Sequence, residues 1–137
     1  HHIERLGELW LLQIRFSWDF MGEESAVMSA IERCIKAGIP KSRIHVYVMF
    51  GFKDTPSDAL YRFETLKGMG LRPNPMRYQP LDTPRKNLYV SQNWPGRELK
   101  RMMRYWARQN WLSKIPYAEY IDNVRGPTGN KEVMCKR

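Results

Sequence analysis

Cysteine and histidine are scarce in this chain. Its 137 residues hold two cysteines, Cys34 and Cys135, and three histidines, His1, His2 and His45. Two cysteines make neither a disulfide framework nor any short metal-ligand spacing, which fits a reducing, cytoplasmic setting. His1 and His2 stand at the very N-terminus and are assigned no chemistry. With His45 the only other histidine, no nucleophile–histidine–carboxylate set can be assembled, and the glutamates offer no acid–base pair. Long apolar runs are missing as well: no stretch approaches the ~20 residues of a membrane span. Glu4 and Arg5 fall where the apolar core of a signal peptide would begin. Acidic residues are outnumbered 14 to 23 by Lys and Arg, leaving a net charge of +9. Such a balance suits a nucleic-acid partner, an acidic substrate or a basic solvated surface.

The apolar residues that are present make up 42% of the chain, enough for one domain with a core. Leu11 to Trp18 alternates Leu12, Ile14, Phe16 and Trp18 with polar Gln13, Arg15, Ser17 and Asp19, the period of a strand with one apolar face. Glu23 to Ala37 reads as a helix with a stripe of Val27, Ala30, Ile31, Cys34 and Ile35, and Gly38 as its stop. Cys34 on that stripe is a core residue. Ile44 to Phe52 is almost continuously apolar, as in a parallel strand buried on both faces. His45, near its start, takes a structural role.

Thr55, Pro56 and Asp58 open a second helix with the residues of a capping box, and its buried stripe is Leu60, Phe63 and Leu66. Arg72 to Tyr78 is a third strand whose Pro73 and Pro75 argue for an edge. A long loop, Gln79 to Asn93, follows. The last helix, Pro95 to Leu112, places Leu99, Met103, Trp106 and Asn110 on its apolar face, with Arg97, Lys100, Arg101, Arg104 and Arg108 around the rest. Residues 1–120 therefore form the folded unit, and 121–137 are expected to be a flexible basic tail. Strand–helix alternation predicts an α/β fold with parallel strands. Three strands leave apolar edges exposed, the sign of an incomplete unit.

Three segments in order resemble consecutive pieces of one family's barrel: Ile14-Arg15-Phe16-Ser17-Trp18-Asp19, then Val46-Tyr47-Val48-Met49-Phe50-Gly51-Phe52, then Asp54-Thr55-Pro56-Ser57-Asp58-Ala59-Leu60-Tyr61-Arg62. Met76-Arg77-Tyr78-Gln79-Pro80-Leu81-Asp82 and Arg97-Glu98-Leu99-Lys100-Arg101 through Tyr105-Trp106 continue the series. The family is that of the radical S-adenosylmethionine (SAM) enzymes, and the resemblance runs from about Leu11 to Tyr120. It implies three βα units of a partial (β/α)6 TIM-like barrel, the C-terminal half. The family's CxxxCxxC motif, which binds a 4Fe–4S cluster, and its glycine-rich SAM segment are absent from this sequence. The resemblance therefore implies part of a SAM and substrate site without cluster ligands, and no radical chemistry by this chain alone.

The same resemblance places Arg15 and Ser17 toward the ribose or carboxylate of SAM. It lays the family's GxIxGxxE pattern over Tyr47, Met49, Gly51 and Asp54, with Met49 and Gly51 near the adenine. Met76 and Arg77 fall on the strand that lines the adenine edge. The implied partner is a chain supplying the N-terminal half-barrel, or a second copy. A rival reading takes the basic helix 97–111, with Tyr105, Trp106 and Trp111, as a nucleic-acid-binding surface that pairs phosphates and stacks on bases.

Overall fold

The computed structural model describes residues 13–108 and 114–121. Three parallel strands form one sheet in the order β1 (Ile14–Trp18), β2 (Ile44–Phe50), β3 (Arg72–Arg77). Three helices follow the strands: α1 (Glu24–Lys36), α2 (Pro56–Gly68) and α3 (Gly96–Ala107). Short 3-10 turns stand at Met21–Glu23, Lys41–Arg43 and Tyr117–Glu119. The fold is α/β. The expected start of the first strand at Leu11, the end of the last helix at Leu112, Cys135 and the tail 122–137 lie outside the described residues.

Strand order equals chain order, so each crossover steps the same way across the sheet. Crossovers of one hand then lay their helices on one face, without the reversal that gives a doubly wound sheet two helical layers. Burial follows this rule. Ile44, Val46, Val48 and Phe50 are fully buried with Trp18 against Ile31 and Cys34 of α1, Phe63 and Leu66 of α2, and Leu99 and Met102 of α3. His45, Tyr47 and Met49 on the alternate face of β2 are only half-buried. The expectation that β2 is buried on both sides is thus corrected, because no helix of the described residues covers the second face. Among the described residues β3 is an edge strand, as its prolines required: a missing N–H is tolerated where one side of the strand has no partner.

Helix boundaries follow local chemistry. Thr55 and Asp58 form the full capping box, with the Thr55 hydroxyl accepting from Asp58 N and the Asp58 carboxylate from Thr55 N. Helices α1 and α2 end alike: Gly38 and Gly70 carry positive φ, and the next amides, Ile39 and Leu71, donate back to Cys34 O and Leu66 O. These are Schellman closures, and both Ile39 and Leu71 tuck into the core.

Three stripes differ from the sequence reading. In α2 the buried set is Ala59, Arg62, Phe63 and Leu66, and the expected Leu60 is only half-buried. Ile35 lies exposed at the end of α1. In α3 the buried set is Leu99, Met102, Tyr105 and Trp106, turned from the expected Leu99, Met103 and Trp106. Tyr105 draws the turn inward: its hydroxyl donates to Ile115 O and its ring packs edge-on against Trp106, Tyr117 and Tyr120. No helix among the described residues is long and apolar enough to cross a membrane.

Candidate functional site

A buried polar node ties the C-terminal ends of β1 and β2 to α2. Arg62 is completely buried. Its Nη1 donates to Trp18 O and Met49 O, both at 2.7 Å, and its Nε to Asp58 O at 3.3 Å. Nη2 pairs with Asp54 Oδ2. The other Asp54 oxygen accepts from Gly51 N at 2.9 Å, Phe52 N at 3.2 Å and Trp94 Nε1 at 3.0 Å. The carboxylate therefore holds the turn after β2 closed, while the guanidinium donates to carbonyls at the ends of two strands. Desolvation pulls the Arg62 pKa down, and the Asp54 charge opposes it.

Gly51 sits at the sharpest point of this turn, with φ +91°. A Cβ there would lie 2.7 Å from Leu99 Cδ2, so the position needs both the backbone freedom and the missing side chain of glycine. The following loop is pinned to the same turn. Ser91 Oγ donates to Phe52 O, and Trp94 Nε1 also donates to Asp54 O.

Beside the node a cleft of about 510 Å³ opens between the loops after β1 and β2. Its walls are Phe20, Met21, Met49, Phe50 and Phe52, with Asp19, Lys53, Asp54 and Asp58 as polar members. Clefts of this volume, mostly apolar with a few polar groups, are typical small-molecule sites, and strand C-terminal ends are where α/β folds place them. Phe20 stays 57% exposed at the mouth. Burial, then the nearby Glu23 charge, raises the Asp19 carboxyl above the ordinary carboxylate range, while Arg62 and the Ser17 hydroxyl oppose the shift. The arrangement suits a flat ring held between sulfur and aromatic faces, with Asp19 as a hydrogen-bond acceptor and Lys53 as a donor.

Of the six positions expected to contact a cofactor, Met49 alone lines the cleft. Gly51 shapes the turn above it. Arg15 and Ser17 are exposed on the uncovered sheet face, and Met76 stands beside Met49 on that face, 45% exposed. Arg77 turns the other way. Paired with Phe50, it belongs to the helix-covered face, and its Nη2 donates to Tyr89 O at 2.8 Å. Its Nε is buried without a partner among the described residues, and desolvation lowers its pKa. Arg15 lies three residues before the end of β1, well short of the cleft. Asp54, aligned with the acidic end of the family pattern, is consumed by the node.

Sequence reading passed over Asp19, Phe20, Met21, Phe52 and Lys53. Their signal was position alone: each follows a strand whose C-terminal end faces the ligand side. No group of three potential metal ligands occurs among the described residues, and Cys34 is buried in the core. A 4Fe–4S cluster therefore does not fit these residues. On α3 the aromatic side chains needed for base stacking point inward. Tyr105 and Trp106 are buried, Trp106 stacked on Phe63 at 4.6 Å, and Trp111 lies outside the described residues. Arg101 folds back to donate to Tyr117 O and Tyr120 O. The chain matches no protein-family model, and no curated protein or solved structure is detectably similar to it.

Proposed function

We propose that this chain is one wall of a radical SAM-type partial barrel and supplies the adenosine part of a SAM site. The observation that carries the reading is the apolar cleft at the C-terminal ends of β1 and β2, beside a sheet face that no described helix covers. In a partial barrel the uncovered face becomes the interior wall. The edge of β1 that meets no strand among the described residues would then pair with the preceding unit, contributed by another segment or another chain. A smaller cleft of about 220 Å³, lined by Phe16, Ser17, Glu23, Ala26, Val27 and Ala30, offers mostly apolar surface with one carboxylate to such a neighbour.

In this arrangement Met49 and Phe52 hold the adenine and Asp19 accepts from the ribose hydroxyls. Acidic side chains at strand ends recognise ribose in this way in other α/β folds. SAM, when bound, supplies a sulfonium whose reductive cleavage gives a 5′-deoxyadenosyl radical. This chain's residues bind and orient the adenosine and exclude water from it; the cluster that would deliver the electron has no ligands among them.

Equilibrium dialysis against labelled SAM tests the proposal. Saturable binding that persists at high salt is expected, and Met49→Lys, which puts a charged chain into the slot, should weaken it by at least about tenfold. Absence of saturable SAM binding by the folded chain, or equal binding by the variant, sinks the reading. Steeply salt-dependent binding of single-stranded nucleic acid in its place would favour the basic-surface alternative.

A further inference from the structure

The cleft at the strand ends carries charge of the sign opposite to that of the chain. The whole sequence has a net charge of +9. Among the described walls, by contrast, the ionisable members are Asp19, Asp54 and Asp58 against Lys53 alone. Buried Arg62 neutralises Asp54. Glu23 brings a further carboxylate to Asp19: its Oε2 accepts from Asp19 N at 2.8 Å. Burial, and then the Glu23 charge, raise the Asp19 carboxyl above the ordinary range. Asp19, Glu23 and Asp58 thus outweigh one ammonium in a cleft whose apolar walls screen charge poorly.

An aromatic ring stands at the mouth. Phe20 is exposed there, and a Cβ on Gly22 would come within 2.6 Å of its Cε2. The ring therefore rests on the backbone at Gly22, which has room for it only because that residue carries no side chain. On the loop after β2, Phe52 stacks on Tyr78 at 4.1 Å and holds the Lys53 ammonium 5.5 Å from its centroid. A cation within about 6 Å of a ring centroid has the geometry of cation–π attraction. One aromatic wall of the cleft thus already draws an ammonium from within the chain.

These walls discriminate among cations. A hard divalent ion needs about six oxygen ligands, and no group of three potential metal ligands occurs among the described residues. A primary ammonium brings three N–H donors, while Asp54 and Asp58 already accept from the Gly51 and Thr55 amides. A methylated onium, whether sulfonium or quaternary ammonium, has no N–H to satisfy. It asks only for polarizable apolar surface and net negative charge.

We infer that the cleft binds an organic onium cation, with its methyl groups on the Phe20 ring and its charge facing Asp19 and Asp58. The inference deepens the SAM reading and rests on it in one respect, that the cleft is the ligand site. In SAM the sulfonium sulfur is bonded to the ribose 5′ carbon, so a carboxylate that meets the ribose also stands near the positive sulfur.

Calorimetric titration of the full chain tests this. The probe is phenyltrimethylammonium, and the control is 2-phenylpropan-2-ol, a neutral molecule of nearly the same shape. The cation should bind saturably and at least about fivefold more tightly than the alcohol. Phe20→Leu keeps an apolar side chain but removes the π face. It should weaken the cation about fivefold and leave the alcohol unchanged, and Phe20→Tyr should restore the loss. Asp19→Asn should likewise narrow the preference, and is the second variant if Phe20→Leu fails to fold. The inference is overturned if the cation binds no better than the alcohol, if Phe20→Leu and Asp19→Asn both leave the preference unchanged, or if both variants lose cation and alcohol in parallel. This pair of probes alone decides the onium subsite. SAM against S-adenosylhomocysteine, which lacks the methyl and the charge, reads the SAM proposal separately, and SAM should bind the more tightly. A cation preference without SAM binding would support the subsite and remove the SAM reading. Equal binding of SAM and S-adenosylhomocysteine without a cation preference would overturn the subsite and leave the SAM reading standing.

Discussion

Replacing Arg62 by Met tests whether the polar node, rather than apolar packing alone, holds the strand ends in place. The methionine keeps most of the buried volume, so cavity formation contributes little. What is lost is electrostatic. Asp54 keeps its bonds from Gly51, Phe52 and Trp94 but loses its countercharge, and the carbonyls of Trp18 and Met49 lose a donor in a dry environment. Breaking a buried pair by removing one partner costs about 3–5 kcal/mol, and each orphaned carbonyl adds to it less than additively. Against a total stability of roughly 5–15 kcal/mol, the variant should lose about a fifth of its folding free energy at the least. At about 4 °C per kcal/mol for a chain of this size, the melting temperature should fall by about 12–20 °C. Urea melts followed by tryptophan fluorescence measure this directly, since Trp18 and Trp94 both touch the node. The double variant with Asp54→Asn should cost well below the sum of the two single changes, with a coupling of at least about 1.5 kcal/mol. A loss below about 1 kcal/mol for Arg62→Met, or costs that add within about 0.5 kcal/mol, would refute the node.

Gly51→Ala should destabilise the fold by about 1–3 kcal/mol, read from the same melts, because the new Cβ meets Leu99 at a backbone conformation that L-residues avoid. Thr55→Ala removes one half of the capping box and should cost about 1 kcal/mol; an unchanged urea midpoint would count against the cap. For Asp19 the folded-state pKa is raised above the ordinary value of 3.8, so the ionised carboxylate costs stability at neutral pH and that cost fades as pH falls through the folded-state pKa. Asp19→Asn should therefore be more stable than the parent at pH 7 and lose that advantage near pH 3; a gain that is the same at both pH values would show that the carboxyl is not strained.

Local chemistry made much of the fold legible. The alternation in Ile14–Trp18, the Thr55–Asp58 box, the glycine stops and the proline-bearing edge strand all depend on neighbours within a few residues, and the structure follows them. Helix faces were less legible. Arg62 lies off the expected apolar stripe of α2, yet two carbonyls and a carboxylate that converge from elsewhere in the chain draw it to full burial. Tyr105 was likewise placed by a partner, the backbone of Ile115, that no helical periodicity reveals.

The sequence by itself determined the element types, their order and the basic charge, because each rests on spacing along the chain and on capping within one turn. Only the tertiary structure decided which residues share a surface. Parallel pairing set Arg15, His45 and Arg72 in one row and sent Arg77 to the opposite face, since a strand reverses its side chains at every residue and register alone says which neighbours they meet. The cleft, too, belongs to the tertiary level: its walls come from two loops separated by a whole helix, and only the crossover that packs α1 on the sheet brings Asp19 and Phe20 beside Met49 and Phe52.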